Sequence, residues 1–145
     1  MKNKSSRKLR HLARSYCVQL LYQCLLNEES AEDVLADFWQ GHATDDLDGE
    51  YLDRAFSRIM AEAELIDKAM SSVLDRSIAS LDPVERAILR LAVYEFQHCL
   101  DVPYKVVINE AVELAKEFGA QDGHKYVNAI LDKLALVYRQ VEIKK

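Results

Sequence analysis

Arg7, His11, Arg14, Val18 and Tyr22 follow one another at steps of three and four residues. That spacing draws one line along the side of a helix. Lys8 and Arg10 lie beside the line. It starts cationic and ends with a valine and a tyrosine, and it is expected to face solvent. The cationic end suits phosphates, which supply most sequence-independent affinity for nucleic acid. The apolar end suits a protein partner, because tyrosine is favoured in interfaces. Packing of Val18 and Tyr22 against a neighbouring helix accounts for them equally well. A second group is the run Asp122-Gly123-His124-Lys125-Tyr126-Val127-Asn128. A helix starting there offers free backbone N–H groups to an anion. Lys125 adds charge, and Tyr126, one step from an inward Val127, offers a ring on which an unpaired base can stack. On these residues alone, a plain capped helix whose tyrosine covers the core is the stronger reading.

Other chemistries lack their residues. Gly119 to Lys125 is one residue short of a phosphate-binding P-loop, and no Ser or Thr follows the lysine. There is no HExxH and no GxSxG. The cysteines are Cys17, Cys24 and Cys99, an odd number without a CxxC pair. They are expected to be reduced, mostly buried thiols. The histidines His11, His42, His98 and His124 are scattered, and Asp45-Asp46 falls in a polar loop. No catalytic residue, metal site or cofactor is expected.

The 145 residues carry a net charge of −5, but the first 27 carry +6, which leaves −11 on the rest. A basic arm on an acidic body is expected of a protein that meets a polyanion at one end. A solvated basic extension is the alternative. No apolar run approaches the ~18 residues of a membrane span. The basic start is followed by periodic and not continuous apolar residues, unlike a signal peptide. The expected location is cytoplasmic, and the sequon Asn3-Lys4-Ser5 is then a coincidence.

Half of the residues are hydrophobic, with only four glycines and two prolines. This composition favours long helices in one domain, residues 1–145. Residues 1–6 are expected to form a flexible basic arm. A first helix runs from Leu9 to Cys24, capped by Ser5 or Ser6. Ser30 with Asp33 marks the start of a second, which ends near Gly41. His42 to Gly49 reads as a loop. Leu52, Ala55, Phe56, Ile59, Ala63, Ile66 and Met70 predict one long third helix, with a short fourth over 71–79. Asp82-Pro83 opens a fifth helix, apolar nearly all round and therefore central. Pro103 starts the sixth, Gly119 stops it, and Asp122 caps the seventh. Residues 141–145 are expected to fray. The fold class is all-α, with about seven helices.

Three stretches resemble the NusB family. They are Leu81 to Glu95, Asp101 to Lys116, and Gly119 to Lys133 with its Lys125-Tyr126-Val127-Asn128 and Leu131-Asp132-Lys133. Ala13-Arg14 and Gln19-Leu20-Leu21-Tyr22 fit in outline, and residues 28–50 match weakly. The resemblance implies two packed three-helix bundles and no enzymatic activity. It implies an adaptor that binds single-stranded boxA RNA with NusE, a small-subunit ribosomal protein. The pair joins an RNA polymerase antitermination complex that suppresses transcription termination on ribosomal RNA operons. By motif, it assigns RNA contacts to Arg10 and Arg14 and to Asp122, Lys125 and Tyr126; Lys8 and His11, beside the two arginines, complete the expected RNA-binding set. It assigns the ribosomal-protein face to Tyr22 and Glu85, with Val18 beside Tyr22. One departure is Arg10-His11-Leu12, where the family often has consecutive arginines; Lys2, Lys4, Arg7 and Lys8 lie upstream to compensate. A protein-binding module or homodimer without specific RNA binding is the alternative. NusB-like domains also occur fused ahead of RNA cytosine methyltransferases, but no cofactor-binding βαβ pattern is present here.

Overall fold

The computed structural model describes residues 5–42, 46–119 and 122–144. Lys2, Lys4, Asn3 and Asp45 lie outside the described residues. Among the described residues there are eight α-helices and no strand. They are α1 (Ser6–Asn27), α2 (Ala31–Gln40), α3 (Gly49–Ala61), α4 (Ala63–Ser71), α5 (Pro83–His98), α6 (Tyr104–Phe118), α7 (Gly123–Tyr138) and α8 (Gln140–Ile143), with a 3-10 turn at Ile78–Ser80. The chain divides into two compact units, Met1–Ala61 and Glu62–Lys145.

In the first unit α1 packs along α3, and α2 meets both. Local chemistry sets the boundaries. Ser5 caps α1 by accepting the Lys8 N–H at 3.2 Å, so Ser6 is helical and not part of a flexible arm. The helix stops where Glu28 turns left-handed (φ 56°) and its N–H returns to the Cys24 carbonyl. Ser30 caps α2 by accepting the Asp33 N–H at 3.1 Å, as the sequence predicts. The end of α2 is tied to α1 through aromatic rings. Phe38 meets Tyr16 edge-on at 5.0 Å and stacks on His42 at 4.0 Å. His42 Nδ1–H donates to the Phe38 carbonyl at 2.9 Å, satisfying a helix-end acceptor.

The expected long third helix is two. The chain breaks at Glu62 between α3 and α4. Ile59, Ala63, Ile66 and Met70 keep one apolar period across the break, which hides it from a periodicity reading. Most of the expected fourth helix, 71–79, is irregular: Ser71 is the last residue of α4, and after it only the 3-10 turn at Ile78–Ser80 is regular.

In the second unit α5 packs against α4, α6 and α7, and α6 packs against α7. Asp82 accepts the Val84 N–H at 2.8 Å, and Pro83 opens α5. Every residue from Ala87 to Phe96 is buried. Each fully buried aliphatic or aromatic side chain among them stabilises by about 1.5–3 kcal/mol. Charge inside this helix needs a partner. Arg90, 5% exposed, donates Nε–H and Nη2–H to Asp67 of α4 at 2.9 and 2.7 Å. Arg86 adds a bond to the same carboxylate at 2.9 Å. Burial works against the charged carboxylate, but the bonds from Arg90 and Arg86 outweigh it and hold Asp67 below its ordinary pKa of 3.8.

A second buried arginine closes the other end of α5. Arg139, 5% exposed, donates to the carbonyls of Glu95, Phe96, Cys99 and Val102 at 2.8–3.1 Å. These include helix-end carbonyls that lack an intrahelical partner. Glu142 accepts from Arg139 at 2.7 Å and from the first N–H of α6, that of Tyr104, at 2.9 Å. These contacts accompany α8, which takes in residues 141–143 of the expected frayed tail; Lys145 lies outside the described residues. The three cysteines are buried and form no disulfide with one another.

Two glycines are close-packed. At Gly119 a Cβ would lie 2.6 Å from the Ala115 carbonyl oxygen, a backbone atom. At Gly123 it would lie 2.7 Å from Glu85 Oε2, the tip of a flexible side chain.

Arg139→Ala is expected to cost about 3–5 kcal/mol, because it leaves buried carbonyls unsatisfied. Urea unfolding measures it, and a loss under ~1 kcal/mol would deny the guanidinium this role. Gly119→Ala should lower the thermal midpoint more than Gly123→Ala, since Glu85 can rotate away and the Ala115 carbonyl cannot. Asp67 has a depressed folded-state pKa, so its contribution is fully present above the unfolded value and is lost as pH falls through the lower folded value. Asp67→Asn should therefore be less stable at neutral pH and lose less on acidification below about pH 4. Parallel unfolding curves for the two proteins across that range would contradict the pairing.

Candidate nucleic-acid interface

The first candidate group is built on the start of α1. Arg7 and Lys8 stand exposed in the opening turn, which contains no acidic residue. Cations there oppose the positive end of the helix dipole, at about 0.3–1 kcal/mol each. Helix stability does not call for this charge.

One turn on, three guanidinium groups surround the ring of Tyr51, which is fully buried. Arg10 lies 4.1 Å from the ring centroid, and Arg14 and Arg54 each lie at 5.9 Å. The closest is a strong cation–π geometry and the other two sit near its outer limit. Arg10 Nε also donates to Asp48 Oδ2 at 2.9 Å. The other Asp48 oxygen accepts the Tyr51 N–H at 3.2 Å, at the start of α3. Asp48 thus begins α3 and fixes Arg10 with one carboxylate. Tyr51, Asp48 and Arg54 are absent from the sequence-derived set, because nothing in their own neighbourhood points to α1.

The expected outward line does not hold throughout. Arg14 is 4% exposed and Val18 is 2% exposed. Val18 belongs to the buried hydrophobic set and offers no docking surface, which corrects its assignment as a partner contact. Arg14 lies against the Tyr51 ring. His11 and Tyr22 are half-buried. The cause is the width of the buried arc of α1, which takes in Ala13, Arg14, Cys17, Val18, Leu20, Leu21 and Cys24.

The second group is built on the start of α7, in the second unit. Asp122 occupies the N-cap position but its side chain caps nothing. It faces Lys125 Nζ at 3.7 Å, with both side chains 74% exposed. Tyr126 is half-buried. The Arg76 guanidinium lies over its ring at 4.4 Å from the centroid. The Tyr126 hydroxyl donates to Asp75 Oδ1 at 3.4 Å, a long bond, and the same oxygen accepts Arg76 Nε–H at 3.0 Å. Burial is the main cause that raises the Tyr126 pKa, so the phenol stays neutral. Glu85 of α5 sits against Gly123, and its carboxyl is raised by burial and by Asp82, against the pull of Arg76. Carboxylates and cations alternate here, whereas the first turn of α1 has no acidic residue of its own. Arg76 and Asp75 are missing from the sequence-derived set, because they lie on an irregular link with no periodicity to mark them.

Among the described residues no group of three or more His, Cys, Asp or Glu side chains could hold a metal ion. A cavity of about 550 Å³ in the first unit is lined by Ser6, Leu9, Trp39, Leu47, Asp48, Gly49, Glu50 and Asp53. Of these, Asp48 holds Arg10, and Asp53 accepts the Trp39 Nε1–H at 2.7 Å. Among the described residues no helix is long and apolar enough to cross a membrane.

Comparison with known proteins agrees with the all-helical fold. The NusB family model matches residues 11–136. The transcription antitermination protein NusB of Coxiella burnetii (strain RSA 493) is 46% identical over 133 residues, covering 92% of this chain and 96% of that protein. The protein of the same name from Pasteurella multocida is 47% identical over 128 residues, covering 88% and 89%. A solved structure of NusB from T. maritima superposes with a TM-score of 0.77 at 31% identity, covering 92% of each chain. The matched region takes in most of α1 and all of α2 to α6, with the α7 start that carries Lys125 and Tyr126. The chain belongs to the NusB family, a family of transcription antitermination factors and not of enzymes.

Proposed function

We propose that this chain is a cytoplasmic RNA-binding adaptor of transcription antitermination. It binds boxA-type single-stranded RNA together with the ribosomal protein NusE, within an RNA polymerase complex that acts on ribosomal RNA operons. The observation that carries this reading is the cationic first turn of α1, where exposed Arg7 and Lys8 stand against the helix dipole and the turn itself contains no acidic residue. A polyanion removes that conflict. Single-stranded RNA suits the two groups, since cations track its backbone and exposed rings stack its bases. Lys8, Arg10 and His11 form the first set of contacts, with Arg14 positioned behind them on Tyr51. Asp122, Lys125 and Tyr126 form the second. The relatives' shared name supplies the biological setting. Tyr22 and Glu85, both partly exposed, are the proposed NusE contacts.

A second reading, self-association, draws on Leu136, Val137 and Val141, which are 57%, 61% and 80% exposed. Light scattering separates the two: a stable dimer that ignores RNA supports self-association.

Titration of labelled boxA RNA and a scrambled control, with and without NusE, tests the main reading. BoxA should bind more tightly than the control and more tightly still with NusE. If about four phosphates are neutralised, log K should fall with log salt at a slope near −3. Lys8→Glu combined with Lys125→Glu, both exposed positions, should weaken binding to every sequence and flatten the slope. Equal binding to both RNAs, indifferent to NusE and to the double variant, would refute it.

A further inference from the structure

We infer that Arg76 is an additional RNA-contacting residue, which forms with Tyr126 a two-part platform that stacks a base and holds the adjoining phosphate. This rests on the RNA-binding reading above. The Arg76 guanidinium lies 4.4 Å from the Tyr126 centroid, in contact with the ring. Its side chain is 48% exposed and that of Asp75 is 68% exposed. The two come from distant parts of the chain, the irregular link before the 3-10 turn and the first turn of α7.

Structural support alone does not explain the cluster. An exposed ion pair is worth about 0–1 kcal/mol. The Tyr126–Asp75 bond, at 3.4 Å, is too long to contribute much. What the arrangement does achieve is orientation. Asp75 holds Nε, the inner edge of the guanidinium, at 3.0 Å. The terminal amino groups are the donors that grip a phosphate in a bidentate way. A guanidinium is also a flat cation that stacks on rings and bases, which an ammonium is not. Lys125, next to Tyr126 and 74% exposed, adds a second cation beside the platform. Asp75 has the opposite effect on RNA, because its charge faces the same phosphate.

Labelled single-stranded boxA RNA and a scrambled strand, titrated at several salt concentrations against the full chain, provide the test. Arg76→Ala should weaken binding about tenfold and flatten the salt slope by about 0.7, the contribution of one phosphate. Arg76→Lys should restore the slope but not the full affinity. Asp75→Asn should tighten binding. All three should melt with the wild-type protein, so a folding defect is visible separately. If Arg76→Ala keeps wild-type affinity and slope, the inference is wrong and the RNA-binding reading stands. If it weakens binding with an unchanged slope, and Arg76→Lys restores nothing, Arg76 is structural and the inference is also wrong. If the wild-type protein binds neither strand, the RNA-binding reading falls and takes this inference with it.

Discussion

A helix buried on every side must have its charges and its loose ends satisfied by other elements. α5 is such a helix, and the second unit is arranged around that requirement. Asp67 of α4 neutralises Arg90 in its middle. Arg139, just past α7, takes up carbonyls at its end and in the link to α6. Both pairs are demanding, because one partner without the other leaves a buried charge or unpaired carbonyls. Together they fix α4, α6 and α7 relative to α5. The start of α7, with Gly123 against Glu85 and Tyr126 under Arg76, is positioned through this frame.

The first unit solves a different problem. Its chemistry sits on α1, and one carboxylate couples that helix to α3. Asp48 starts α3 through the Tyr51 N–H and holds Arg10 through its other oxygen. The backbone N–H of Asp48 also donates to the Leu9 carbonyl at 3.1 Å. The cationic turn is therefore built into the packing of two helices and is not a loose extension.

Features with a local cause were legible in the sequence. The Ser30–Asp33 cap, the Asp82-Pro83 start, the break at Pro103 and the apolar run of α5 all depend on neighbours in the chain. Features with a distant cause were not. The break at Glu62 leaves the apolar period intact. α8 is anchored by contacts from Glu142 to Arg139 and Tyr104, so its own charged sequence reads as a tail. Arg14 and Val18 share the spacing of surface positions, but the arc that α1 buries is wider than one stripe. In the candidate interface, the α1 cations and the Lys125-Tyr126 pair were visible as residue types. The rings and carboxylates that orient them, Tyr51 with Asp48 and Arg76 with Asp75, were not, because each joins its partner only after folding.

The left-handed residue that ends α1 has a consequence of its own. Glu28 adopts a conformation that glycine takes freely and glutamate takes at about 1 kcal/mol. Its positive φ ends α1 at a fixed residue and turns the chain sharply toward Ser30, the cap of α2. The link between these two helices is thus a short turn with a defined conformation at Glu28 and not a slack linker. Beyond this corner the Phe38 ring meets Tyr16 edge-on at 5.0 Å and ties α2 back onto α1.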